Sequence, residues 1–96
     1  MSLTRINTFV AKPGQGDALH QHLASFVPLI RATAGCQSCQ LLHSTDTPER
    51  IVVLEVWESR EAHRASAANI PPEAIQQTMA LLAGTPMGEY YTESAG

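Results

Sequence analysis

Residues 50–57, Arg-Ile-Val-Val-Leu-Glu-Val-Trp, constrain the fold more than any other stretch of the chain. Odd positions carry Ile51, Val53, Glu55 and Trp57, and even positions carry Val52, Leu54 and Val56. Successive side chains of a strand point to opposite faces, so this strand is apolar on both. A sheet built around it needs cover twice. At 96 residues the chain is expected to be a single domain, 1–96. A chain so short buries only about 60% of its unfolded surface. Its own helices can cover one face of the sheet and leave nothing for the other. The simplest second cover is the same sheet from another copy, packed about a two-fold axis, so a homodimer through the open sheet face is expected.

The other elements follow from periodicity and punctuation. Residues 6–11 are β-branched and aromatic enough for a first strand, ended by Lys12-Pro13-Gly14-Gln15-Gly16. Leu19, Leu23, Phe26, Val27, Ile30 and Ala34 recur at helical spacing over 17–34. Gly16 or Asp17 caps that helix, Gly35 stops it, and Pro28 is expected to kink it without breaking it. Residues 37–44 read as a second strand and 45–49 as a turn. Ser59 caps a short helix over 59–68 built from Ala62, Ala65, Ser66, Ala67 and Ala68. Pro72 opens a further helix with an apolar stripe of Ile75, Met79 and Leu82, and residues 86–92 supply a last strand. The order β-α-β-β-α-β specifies an α+β fold, a four-stranded antiparallel sheet with helices on one face.

Charge removes several function classes. The net charge is −3 and the six basic residues are scattered, so no clustered positive field for nucleic acid is visible. An RNA-recognition motif shares the element order but needs exposed aromatics on its central strands, where this chain has Ile, Val and Leu. No basic amphipathic stretch suggests a membrane surface, and the run 51–57 is too short to span a bilayer. The N-terminus lacks an apolar signal core, so a cytoplasmic location is expected. Cys36 and Cys39 follow a helix C-terminus, the wrong electrostatic end for a redox pair. No second cysteine pair completes a zinc site, and His20 and His22, two apart on a helix, face different ways. Both cysteines are read as packing residues, and no metal site is expected.

Pro13-Gly14 after the first strand, Gly35-Cys36 after the first helix and Glu55-Val56-Trp57-Glu58-Ser59 carry a resemblance. With the element order and length, from about residue 5 to 92, the sequence resembles the antibiotic biosynthesis monooxygenase family. That family comprises small ferredoxin-like proteins that pair as dimeric α+β barrels. The resemblance implies a homodimer without a cofactor, acting on a small aromatic or quinol-like molecule. Members also include haem-degrading enzymes, isomerases and proteins of unknown activity, and fold alone does not choose among them. The sequence departs from the family at one place. Members often carry a His nine residues after the Trp, where this chain has Ser66, and a His stands one turn earlier at His63. The Trp and ligating His of the haem-degrading branch are absent.

Oxygenation without a cofactor needs a base, hydrogen bonds to a developing oxyanion and exclusion of water. His63 is a base candidate because its pKa lies near working pH, and the bland alternative is a surface or packing histidine. Glu55 is the second: a carboxylate in so apolar a strand must face a cavity or a partner such as Arg50, Arg60 or a cation of the second chain. Asn7 is a candidate anchor, its position being one where some family enzymes orient substrate or oxygen. Trp57 offers a flat wall, or serves as a packing anchor. The small side chains of helix 59–68 either pack closely or leave a cavity walled by Trp57, Phe9 and Phe26, with Ser66 at its edge. Tyr90 and Tyr91 point to opposite faces, and either could anchor a hydroxyl. Three readings remain: a cofactor-independent monooxygenase, a non-redox isomerase or lyase acting on an enolisable carbonyl compound, and a ligand-binding or stress-response module without catalysis.

Overall fold

The doubly apolar strand lies in the interior of a four-stranded sheet. The computed structural model describes residues 2–94. Their elements are β1 (Leu3–Val10), α1 (Gly16–Ala24), α2 (Val27–Arg31), β2 (Cys36–His43), β3 (Arg50–Trp57), α3 (Arg60–Ser66), α4 (Pro72–Leu81) and β4 (Met87–Tyr91), with one 3₁₀ turn at Ala67–Asn69. The strand order is β2-β3-β1-β4, every pair antiparallel. The fold is the expected α+β, ferredoxin-like one.

The odd residues of β3 are buried, Val52, Leu54 and Val56 are half-buried, and Arg50 is exposed. Ile51 and Val53 join Leu19, Leu23, Val27, Cys39, Ala11 and Leu82 in the core under the helices. Burying a side chain the size of Leu or Ile contributes roughly 1.5–3 kcal/mol, so this layer holds the helices to the sheet. The other face presents Val52, Leu54 and Val56 beside Ile6, with Leu42, Met87 and Tyr91 exposed. Among the described residues nothing covers it. No helix of the described residues is long and apolar enough to cross a membrane.

Two local expectations are corrected. Residues 17–34 form two helices, not one kinked helix. α1 stops at Ala24, the Phe26 N–H turns back to the Leu23 carbonyl, and Pro28 falls in the first turn of α2. A first-turn proline lacks a hydrogen that no helical carbonyl would have accepted, so restarting is easier than kinking. The last helix ends at Leu81, so Leu82, expected in its apolar stripe, leaves the helix to bridge Ala11.

Ser59 caps α3 as expected, its Oγ accepting from the Ala62 N–H at 3.1 Å. Gly35 has φ +87°, a conformation open to glycine, and a Cβ there would overlap Ala62 of α3. A bulge between Cys36 and Ser38 puts Cys36 opposite Trp57 and Cys39 opposite Glu55, so both thiols turn toward the helices. Both are unpaired. Burial pushes the Cys39 thiol up to about 11, and the Cys36 thiol is raised too, as inert packing residues require. Arg31 closes the outer edge of β2 by donating from Nε and NH2 to the Cys39 carbonyl at 3.1 and 2.9 Å.

Candidate active site

Pairing of β1 with β3 sets Arg5 opposite Glu55 and Asn7 opposite Val53, so the odd residues of both strands share the helix side. Glu55 therefore turns its carboxylate inward and is only 6% exposed. Each oxygen has a donor. Trp57 Nε1 donates to Oε1 at 2.8 Å, and Asn7 Nδ2 donates to Oε2 at 3.3 Å. The Asn7 carbonyl oxygen in turn accepts from Arg5 Nε at 3.0 Å, which fixes the orientation of the amide.

Burial raises the Glu55 pKa above the ordinary carboxylate range, against the Trp57 hydrogen bond, the Arg5 charge and the Asn7 hydrogen bond, which lower it. Burial wins. His63 stands behind this carboxylate, its Nε2 3.9 Å from Oε1. Burial, with Arg5 and Arg64, lowers the His63 pKa, so the ring tends to neutrality and the contact is not a formed ion pair. His63 Nδ1 lies 2.6 Å from the Tyr90 hydroxyl. The Tyr90 ring carries the guanidinium carbons of Arg5 and Arg60, each 4.6 Å from its centroid.

In front of Glu55 lies a pocket of about 230 Å³. Its floor is Asn7, Phe9, Val53 and Glu55. One wall is Leu23, Phe26, Val27 and Ile30, and the roof is Ile70, Ile75, Thr78 and Met79, with Pro86 at the rim. Only Asn7, Glu55 and Thr78 are polar. Apolar walls with a few convergent polar groups are the usual form of a small-molecule site, though this one is smaller than the ~300 Å³ at the low end of such sites.

The structure thus brings Asn7, Phe9, Phe26 and Glu55 together and leaves three expected residues out. Trp57 is 1% exposed and meets the site through its N–H, not as a wall. Ser66 donates its hydroxyl to the His63 carbonyl and does not line the pocket. His63 touches Glu55 and not the pocket. The cavity expected beneath helix 59–68 is absent from that place: Ala62 packs against Gly35, and the pocket opens under α4 instead. A groove outside α3, lined in part by Thr33, Glu58 and Glu61, is shallower and has none of the expected site residues but Ser66. Of the two tyrosines Tyr90 faces the helix side, while Tyr91 is exposed on the other.

Three participants were not read from the sequence as members of this site. Arg5 shares odd parity with Asn7 and Phe9, a signal that becomes decisive only with the β1–β3 register. The choice between Tyr90 and Tyr91 needed the register of β4 on β1. Thr78 and His22 bond to each other across α1 and α4, at 2.8 Å, a contact no periodicity announces.

No functionally curated protein matches the chain. Solved structures do, over nearly their whole length. The Rv0793 protein of Mycobacterium tuberculosis is 23% identical, with a TM-score of 0.84 over 100% of this chain and 98% of that one. The PA3566 protein of Pseudomonas aeruginosa is 25% identical, with a TM-score of 0.83 over 98% and 95%. SnoaB of Streptomyces nogalater, a cofactor-independent oxygenase, is 20% identical, with a TM-score of 0.81 over 99% and 95%. These likenesses agree with the topology. The family model for antibiotic biosynthesis monooxygenases matches residues 2–81, from β1 through the end of the pocket roof, and the chain belongs to that family.

Proposed function

We propose that the chain is a cofactor-independent monooxygenase of an aromatic or quinol-like small molecule, with Glu55 as its base. The observation that carries this reading is a carboxylate of raised pKa on the floor of an otherwise apolar pocket. Such a base can take a proton from an acidic phenol or anthrone near neutral pH. The substrate anion then reduces O₂ by one electron, and the radical pair joins as a peroxide. Loss of water from the peroxide leaves the quinone carbonyl, one oxygen of O₂ in the product and the other in water. Apolar walls exclude solvent from the anion, and Asn7 steadies the carboxylate and faces the reacting group.

His63 acts through Glu55. Nδ1 and the Tyr90 hydroxyl share one hydrogen, and in the tautomer whose Nδ1 carries it Nε2 turns a lone pair toward the carboxylate, able to accept its proton once the 3.9 Å gap closes. The open sheet face pairs with that of a second copy, which is supported by its apolar residues and the absence of any cover among the described residues.

The test is oxygen uptake by the purified protein with anthrones and quinols, in the presence of a chelator and without flavin. Uptake that Glu55→Gln abolishes supports the reading. Turnover of an enolisable carbonyl compound under argon, with no oxygen uptake, replaces it with the isomerase reading.

A further inference from the structure

Thr78 is the one polar side chain that the helices present to the pocket among the described residues. Its hydroxyl donates to the Ala74 carbonyl at 2.9 Å. His22 Nε2 lies 2.8 Å from the same hydroxyl oxygen and 3.2 Å from the Ala74 carbonyl oxygen. A bare ring nitrogen so close to a carbonyl would set lone pair against lone pair, so Nε2 carries a hydrogen and donates. The Thr78 hydrogen is thereby committed to Ala74 and one of its two lone pairs to His22. Thr78 lines the pocket, and the second lone pair is the one left for a ligand there. Phe26 stands edge-on to the His22 ring, centroids 5.0 Å apart, and holds that ring in place.

We propose that Thr78 is a specificity-determining residue, fixed as a hydrogen-bond acceptor by His22, and that the pocket takes fused aromatic rings bearing a hydroxyl at each end. One hydroxyl meets Glu55 on the sheet and the other meets Thr78 on the helical roof. A ligand with a single hydroxyl leaves one acceptor in an apolar slot without a donor, which weakens its binding. This rests on the pocket being the aromatic site proposed above.

Binding is measured calorimetrically under argon for naphthalene, β-naphthol and a naphthalenediol with hydroxyls on opposite rings. Wild type is expected to bind the diol about tenfold more tightly than β-naphthol. Thr78→Val, equal in shape, removes that preference, and Thr78→Ser keeps it. Equal affinity of wild type for diol and naphthol overturns the role of Thr78, as does a preference that survives Thr78→Val. If Thr78→Val does not fold, the wild-type ratio and its retention in Thr78→Ser still decide. Naphthol binding without a gain from the second hydroxyl removes this inference alone; failure of all three ligands to bind removes the aromatic reading of the pocket as well.

Discussion

Trp57 and Glu55, two residues apart on β3, share one face of the strand, and the indole N–H donates to the carboxylate at 2.8 Å. The largest buried side chain of the core is thus also a fixed donor to the one buried charged group among the described residues. Packing and chemistry meet in a single bond. A hydrogen bond to a charged group contributes about 1.5–3 kcal/mol.

Trp57→Phe keeps a ring in the core and removes the donor. The Trp57 bond lowers the Glu55 pKa, so its loss lets burial raise that pKa further. The acid limb of the kcat/KM profile moves to higher pH. A profile unmoved from wild type would disconnect the indole from the base.

Glu55→Gln tests the titration through stability. Because burial raises the Glu55 pKa, the folded chain holds its proton more firmly than the unfolded chain does. The stability from this group is complete below the ordinary carboxylate range and declines as pH rises through the raised value. The variant is neutral throughout. From about pH 4 upward, wild-type Tm should fall relative to that of the variant, then run parallel once the pH has passed the raised pKa. Oxygen uptake by the variant should drop by roughly 10²–10⁴-fold.

His63→Gln separates relay from base. The ring lies outside the pocket and faces Glu55 at 3.9 Å. The expected result is a lower kcat with KM nearly unchanged. A raised KM with normal kcat would place His63 in substrate contact.

Gly88→Ala reports on the Arg5–Asn7 arm. Gly88 pairs with Asn7, and a Cβ there would overlap the Arg5 guanidinium and the Asn7 amide oxygen. Alanine in a strand is ordinarily more stable than glycine. Here the overlap should reverse that sign, destabilising by about 1–3 kcal/mol and slowing turnover. A stabilised, fully active variant would show that Arg5 and Asn7 are free to move aside.

Leu54→Arg addresses the open face. Leu54 sits between Ile6 and Gln40 on the two neighbouring strands, at the middle of that face. A charge there should convert the sedimenting species from dimer to monomer. A variant that stays dimeric would move the interface elsewhere.

Much of this was legible in the sequence because it is written in local period. The alternation of Ile51, Val53, Glu55 and Trp57 gave β3 its bounds and grouped Glu55 with them on one face, which the structure shows to be the core side. Ser59 and Pro72 marked the starts of α3 and α4. Asn7, Phe9 and Phe26 were named as pocket residues and line it. The pocket's place was not legible, because small side chains are compatible with a void or with close packing. Ala62 resolves that choice by meeting Gly35, a contact between segments far apart in sequence. Ile75 and Met79 looked like core stripe and are half-exposed roof instead. Arg5 became visible only through its register with Glu55, and Pro28 opens a new helix because a first-turn proline gives up no helical hydrogen bond.

The floor of the pocket belongs to paired strands, and its roof belongs to α4, whose Ile75 and Met79 are exposed by 50% and 47%. The proton-handling groups are locked into sheet register by hydrogen bonds on both sides, whereas the roof residues answer to few neighbours. Substitutions at Ile75 and Met79 should therefore cost folding little, unlike those at buried Ala74. With Glu55 as the proposed base, the exposed side of this helix, not the strands, is the place to redesign selectivity.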